Sequence, residues 1–252
     1  MAHEEKLSRE AATAARAIRE PPRPKPKRIY KSVFIDGPPF RVLLDSKPLA
    51  TPLRRPVITR TRAMAEAVAA EWDAQITEID PATMPVMRLV ATCIDKVITG
   101  RTELIDTLLA HADTDLLCYH AASPADLKAR QAAAWRPVLD WVGARIGATF
   151  AAGEGLMPFA QSEATKAALK STFEALDDWR FTAAQAVAGI SGSLVLALAM
   201  TERRLSAAET CALALLDETY QQERWGQDAL ATARRDAIAY DLAGVEAFLA
   251  LL

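Results

Sequence analysis

The residues best suited to chemistry in this chain are scattered acids and histidines. Glu71, Gln75 and Glu78 fall together on one helical flank, and paired carboxylates can pass a proton in an acid–base step. With no histidine or metal ligand beside them, they read as a solvated flank. His111, Asp113, Asp115 and His120 offer nitrogen and oxygen ligands, but their spacing matches no H-E-x-x-H device, and they read as a polar connector. His3 is in the N-terminal stretch, so Ser-His-Asp catalysis has little material. GISGS at 189–193 approaches a nucleophile elbow, yet it lacks the final glycine and sits in an apolar helical pattern. Small residues letting helices approach closely account for it better. Neither G-x-x-x-x-G-K-[ST] nor a strand-borne G-x-G-x-x-G occurs, so no nucleotide grip is expected. No catalytic residue, cofactor or metal ligand is assigned, and ATP should be neither bound tightly nor hydrolysed.

Composition sets the class. The chain has 252 residues, 51% apolar and 25% charged, which fits one or two globular domains. A formal net charge of -2 argues against nucleic-acid binding. Cys93, Cys118 and Cys211 are odd in number and far apart, so neither a disulfide framework nor a zinc ribbon is expected. The N-terminus lacks the apolar core of a secretory signal, and Glu4, Glu5, Glu10 and Glu20 disfavour an organelle transit peptide. The expectation is a bacterial cytoplasmic protein. Phe181 to Met200 carries no charge over a bilayer-spanning length. Thr182, Gln185, Ser191 and Ser193 dilute it, and it reads as a buried central helix without membrane insertion.

Residues 1–28 form a tail, with a thin helical stripe of Leu7, Ala11, Ala14 and Ile18 followed by the solvated proline-basic run EPPRPKPKR. From Ile29 the period changes to two. IYKSVFI and FRVLLD flank the turn Asp36-Gly37-Pro38-Pro39 as a hairpin. Asp45 to Pro48 make a second turn, with Asp45 able to accept a backbone N–H, and Pro56 to Thr59 suggest a further short strand. Such a small antiparallel sheet needs a cover. Thr61 caps a helix whose stripe Met64, Val68, Trp72, Ile76 and Ile79 supplies it.

After Ile79 the pattern is helical. Pro85 opens a helix that Gly100 can end, and Thr102 starts a short one. TDLLCYH suggests a strand returning to the small sheet. Ser123-Pro124 opens a helix with Leu127, Gln131, Trp135, Val138 and Trp141 on one side, kinked at Pro137. Helices follow over Ser162 to Leu176, Asp178 to Met200, from the capping box Ser206 to Glu209 as far as Trp225, and through Leu230, Ile238, Leu242, Val245 and Leu249. The fold expected is α+β: a small N-terminal domain with an antiparallel sheet over 29–80, then a larger all-α helical domain over 81–252.

On a helical wheel, Ala212, Leu213, Leu216 and Tyr220 form the core side of the 207–225 helix, opposite Cys211, Ala214, Glu218, Gln221 and Trp225. A large aromatic beside a carboxylate and an amide either staples the next helix or meets a partner.

Six signatures then recur in fixed order: LDSKPLATP (44–52), EWDAQ (71–75), MPVMRL (84–89), TDLLCY (114–119), RQAAAWRPVLDW (130–141) and DETYQQERWG (217–226). Together with GSLVLALAM (192–200), they resemble the assembly chaperone family that binds the unassembled alpha subunit of F-type ATP synthase. The resemblance runs from about Arg28 to the C-terminus. It implies a chaperone without a nucleotide cycle, and a partner, the alpha subunit before assembly. It places the family's functional acid on Glu218, with Asp217, Gln221 and Trp225 as matching neighbours. Trp72 is implied to be structural, joining the domains, and Trp135 and Pro137 to be scaffold residues. The chain itself is expected to be a monomer. Three positions depart from the family: Ser46 for a glycine, which puts the turn in doubt, and Arg136 for an acid and His120 for an arginine, which alter ion pairing. The competing readings are a helical adaptor and an enzyme using Glu71 or Glu218.

Overall fold

A computed structural model describes residues 24–155, 160–226 and 228–252. The stripe Leu7, Ala11, Ala14 and Ile18 and the start of the proline-basic run lie outside the described residues. Strand β1 (Val33–Asp36) pairs antiparallel with β2 (Phe40–Leu44), setting Val33 opposite Leu44 and Asp36 opposite Arg41. β3 (Lys47–Pro48) and β4 (Ile58–Thr59) both pair with the other edge of β2. The hairpin turn requires glycine: Gly37 has φ +117°, and a Cβ there would sit 2.0 Å from the Pro39 carbonyl oxygen. In the next turn Asp45 takes the left-handed conformation at φ 55°. Its carboxylate accepts the Lys31 and Ser32 N–H groups at 3.0 and 2.9 Å. Ser46 has no positive φ, so the missing glycine costs the turn nothing.

Helix α1 (Arg62–Asp73) covers the sheet with Met64, Ala65 and Val68, and the Thr61 hydroxyl caps it by accepting the Met64 N–H at 3.1 Å. The helix stops at Asp73, and of the two stripe residues beyond it only Ile79 still packs against the core. Ile76, expected on that stripe, is exposed instead. The last residues of the expected solvated tail are bound as well. Pro26 accepts the Ile79 N–H at 2.7 Å, the Arg28 N–H donates to Thr77 at 2.9 Å, and Lys27 bridges Glu78. Pro26 has a carbonyl but no N–H, and the loop after α1 supplies an amide that would otherwise lack a partner.

Helix α2 (Pro85–Thr92) runs through a π-turn (Cys93–Val97) into α3 (Ile98–Leu109). Gly100, at φ -137° and ψ 29°, bends this run and does not end it. The TDLLCYH segment does not rejoin the first sheet. The Asp115 carboxylate accepts the Leu117 N–H at 3.0 Å and turns the chain into a 3-10 helix, Leu116–Cys118. Only β5 (Tyr119–His120) is extended, pairing in parallel with β6 (Gly153–Glu154). Among the described residues after 80 this two-residue ladder is the one strand pairing.

Helix α4 (Ala125–Ile146) starts one residue late, with Pro124 at the N-cap and no side-chain cap, and continues through Pro137 to Gly147 at φ 70°. α5 (Glu163–Ala175) follows, capped by Ser162. The expected helix from Asp178 to Met200 is two, α6 (Asp178–Ser191) and α7 (Leu194–Thr201), broken where Gly192 adopts φ 70°. A Cβ at Gly189 or Gly192 would meet nothing within 4 Å, so GISGS marks a helix break and not a close helix contact. The helix expected over 207–225 also divides, into α8 (Ala207–Ala214) with its capping box and α9 (Leu216–Trp225). Helix α10 (Ala229–Ala250) completes the described fold. Its Leu230, expected to mark the packed side, is exposed.

One core runs from Val42 and Met64 through Trp135, Phe173 and Phe181 to Leu242 and Phe248. It crosses the change from strand to helix without a gap. Thr61 donates to the Leu251 carbonyl at 2.9 Å, and Arg60 reaches Asp177 at 2.7 Å. The class is α+β, as read. Among the described residues no helix is long and apolar enough to cross a membrane.

Candidate functional site

Helix α9 carries all four residues to which the resemblance points, and they face three ways. Its first turn holds Asp217 and Glu218, where negative charge complements the helix dipole. Asp217 turns inward and accepts the Gln131 side-chain amide at 2.7 Å, while Gln131 accepts the Ala121 N–H at 2.7 Å. Burial pushes the Asp217 carboxyl above its usual range, against the pull of the Gln131 hydrogen bond. Glu218 faces α10 and pairs with Arg234 at 3.2 Å. Gln221 and Trp225 face solvent, Trp225 with 77% of its surface exposed.

The break at Leu215 undoes the single wheel drawn over 207–225. Ala212, expected in the core, is exposed, and Ala214, expected on the open side, is buried. Leu216 and Tyr220 keep their core positions. Around them α9 is pinned to α4. The Tyr220 hydroxyl donates to Asp126 at 2.8 Å, Arg224 pairs with the same carboxylate, and Arg130 grips both oxygens of Glu223 at 2.6 and 3.0 Å. The Tyr220 hydrogen bond and then the Arg224 charge hold the Asp126 carboxyl below its usual range, despite some desolvation. What remains open is the end of the α9–α10 hairpin, where Trp225 and the 81%-exposed Leu230 flank the connection. Leu230 carried no distinguishing signal in the sequence, because its spacing fits the α10 stripe that the helix end leaves unpaired.

Trp135 is fully buried, and its indole N–H donates to the Leu213 carbonyl at 3.1 Å, joining α4 to α8. Pro137 is exposed on α4. Trp72 packs edge-on to Tyr30, whose hydroxyl donates to the Trp72 carbonyl at 2.6 Å. Of the flank expected to be solvated beside it, Glu78 is exposed, but Glu71 and Gln75 are not. Both Glu71 oxygens accept N–H groups of the first turn of α2, Val86 at 2.8 Å and Met87 at 2.7 Å. Burial raises the Glu71 carboxyl while these bonds pull it down. Gln75 is buried, accepting the Asp80 N–H and donating to Glu71 and Thr83. Pro85 was the available signal: a proline at the first helical position leaves the next two N–H groups needing an acceptor.

The possible metal ligands separate. Asp113 pairs with Lys166 at 2.9 Å, and the His120 ring lies 5.7 Å from the Trp135 ring. Asp115 is wholly buried, accepting the Ser193 hydroxyl at 2.8 Å and the Leu194 and Val195 N–H groups at 2.7 and 3.1 Å. Burial lifts its carboxyl against those three donors and the Leu117 N–H. Among the described residues no three His, Cys, Asp or Glu cluster to hold a metal. Burial also pushes the Cys93 thiol to about 11 and the Cys118 thiol to about 12. Each Glu71 oxygen already accepts an amide N–H, and Glu218 lies at the surface beside a cation. The two acids on which an enzyme reading depended are thus both occupied.

Comparison with known proteins bears on this arrangement. The sequence profile of the ATP12 chaperone protein family matches residues 27–143. The chain is similar to a protein named atp12, mitochondrial, from Schizosaccharomyces pombe, with 23% identity over 219 residues, covering 81% of this chain and 75% of that one. It is similar in structure to Atp12 from Paracoccus denitrificans, with a TM-score of 0.82, 34% identity and coverage of 90% of this chain and 98% of that one. An aspartate-to-lysine mutant of the same protein matches at 0.82 with 33% identity, covering 90% and 97%. The Atu1473 protein of Agrobacterium tumefaciens matches at 0.83 with 38% identity, covering 90% and 86%.

Proposed function

Because this chain belongs to the ATP12 chaperone family of ATP synthase assembly factors, we propose that it holds the unassembled alpha subunit of the enzyme and contacts it through the α9–α10 hairpin. The observation that carries the choice of surface is the exposure of Trp225 at the end of α9. An unassembled subunit exposes apolar area that drives aggregation, and a large aromatic ring in solvent is a common anchor for such a contact. Gln221 and the Glu218–Arg234 pair supply a polar rim beside it. Asp217 supports the helix from below through Gln131. On this reading the protein works by covering surface, in the cytoplasm and as a monomer, with no reaction of its own and no cofactor.

The test is protection of isolated alpha subunit from aggregation, with circular dichroism on the same samples. Trp225→Ala should lose protection with unchanged helicity. Glu218→Lys sets two cations against each other across the hairpin, and it should weaken protection while leaving the fold intact. Full protection by both variants would mean that the contact lies on another face. Calorimetry with ATP and magnesium should show no binding, and a saturable micromolar signal would restore the enzyme reading.

A further inference from the structure

The N-terminal sheet has an open edge that nothing in the helical body uses. The Asp45 N–H donates to the Ser32 carbonyl at 2.8 Å, and pairs along an antiparallel ladder alternate between bonded and non-bonded. Phe34 and Asp36 therefore exchange hydrogen bonds with Leu43 and Arg41, while Val33 and Ile35 direct N–H and C=O away from β2. Among the described residues no strand pairs with β1 on that side. The strand is short and ends on a charged residue, Asp36, but it has no proline or bulge to close the edge and keeps regular register. The outer face beside the edge carries one apolar row, Phe34, Leu43 and Pro48, and the next row sets Ile58 beside the Asp36–Arg41 ion pair. Phe34 is 55% exposed. The charge here is mixed, with a small basic excess. Residues 24–80 contain ten Lys and Arg against seven Asp and Glu, whereas 81–252 contain fifteen against twenty-one. Lys31, which leads into β1, and Lys47 in β3 are exposed and have no ion pair among the described residues.

The geometry points to β1 as a strand-docking site for an extended segment of the client protein, apolar at alternate positions over Phe34 and acidic at its flanks. Main-chain bonds to Val33 and Ile35 would hold any extended segment, and alternate side chains and charge would select this one. Acidic flanks follow from the unpaired lysines. The site rests on the reading that the client is the unassembled alpha subunit, and it is separate from the α9–α10 hairpin.

Hydrogen exchange on the full chain, alone and with isolated alpha subunit, tests it. The Val33 and Ile35 amides should exchange quickly alone and slow by about a hundredfold or more in the complex. Val33→Pro removes one outward N–H without touching the β1–β2 ladder, and it should weaken the complex about tenfold. If that variant disturbs the sheet, Phe34→Glu replaces it with the same expected loss, because a carboxylate would repel the acidic flanks. Binding of the subunit with both amides still fast overturns this site and leaves the client assignment standing. Failure of the subunit to bind overturns both. Protection of these amides by phosphatidylglycerol–phosphatidylcholine vesicles, and not by the subunit, would make the edge a membrane contact and refute the proposal.

Discussion

Replacing Asp115 should separate the loss of a hydrogen-bond acceptor from the loss of a charge. Its carboxylate is fully buried and accepts four donors, the N–H groups of Leu117, Leu194 and Val195 and the Ser193 hydroxyl. In Asp115→Ala all four lose their partner deep in the core. At about 1 kcal/mol each, near the lower bound for an orphaned buried donor, the loss is about 4 kcal/mol, and relief from burying a charge reduces it to about 2–4 kcal/mol. Asp115→Asn keeps the shape. Its oxygen can face Leu194 and Val195 while its NH2 donates to the Ser193 hydroxyl, which leaves the Leu117 N–H unpaired at a cost of about 1–2 kcal/mol. Urea unfolding at neutral pH, followed by circular dichroism, measures both values. The alanine variant should be the less stable of the two by about 1–2 kcal/mol. If both variants lie within about 0.5 kcal/mol of the parent, the four donors have another partner and the account of this network is wrong.

Three further outcomes follow from other contacts. Glu71→Ala strands the Val86 and Met87 amides and should cost about 2–3 kcal/mol, whereas Glu71→Gln keeps one acceptor and should cost about half of that, again by urea unfolding. Asp126 has a folded pKa below its unfolded value, so its contribution is present above the unfolded carboxyl value and is lost as pH falls through the folded one. Tyr220→Phe removes the main cause, and carbon-detected NMR titration should show the Asp126 midpoint rise. Cys93 and Cys118 should react with a thiol reagent at pH 8 only as fast as the chain opens, since burial keeps both thiols protonated, and prompt labelling of either would contradict their burial.

Local signals were legible in the sequence where one residue decides one turn. Thr61, Ser206 with Glu209, and Pro85 each open a helix as their types demand. The hairpin around Gly37 follows from the change of period. Continuity was harder to read, because helix breaks at Gly192 and Leu215 interrupt patterns that remain apolar across them. Partners of buried polar groups were not legible at all. Glu71 looks like a solvated acid until Val86 and Met87 are placed beside it, and Asp115 looks like part of a connector until Ser193 arrives from 78 residues away. The candidate contact was half readable. The family signature pointed to α9 as the candidate, but which of its side chains stay free depends on α4 and α10, whose relation to it is set by tertiary packing.

The hydrogen bond from Thr61 to Leu251 closes a loop of 190 residues. Helix α10 packs on α2, α6 and α8, so the earliest and latest parts of the chain share one core. During synthesis the sheet, α1 and α2 emerge first, and the side of α2 at Pro85 and Arg88, which meets Gly244 and Asp241, waits for α10 before it is shut. Contacts of such separation make a chain slow to fold and leave early segments sticky in the interval. A chaperone of this family therefore passes through a period on the ribosome in which its own apolar surface is still open.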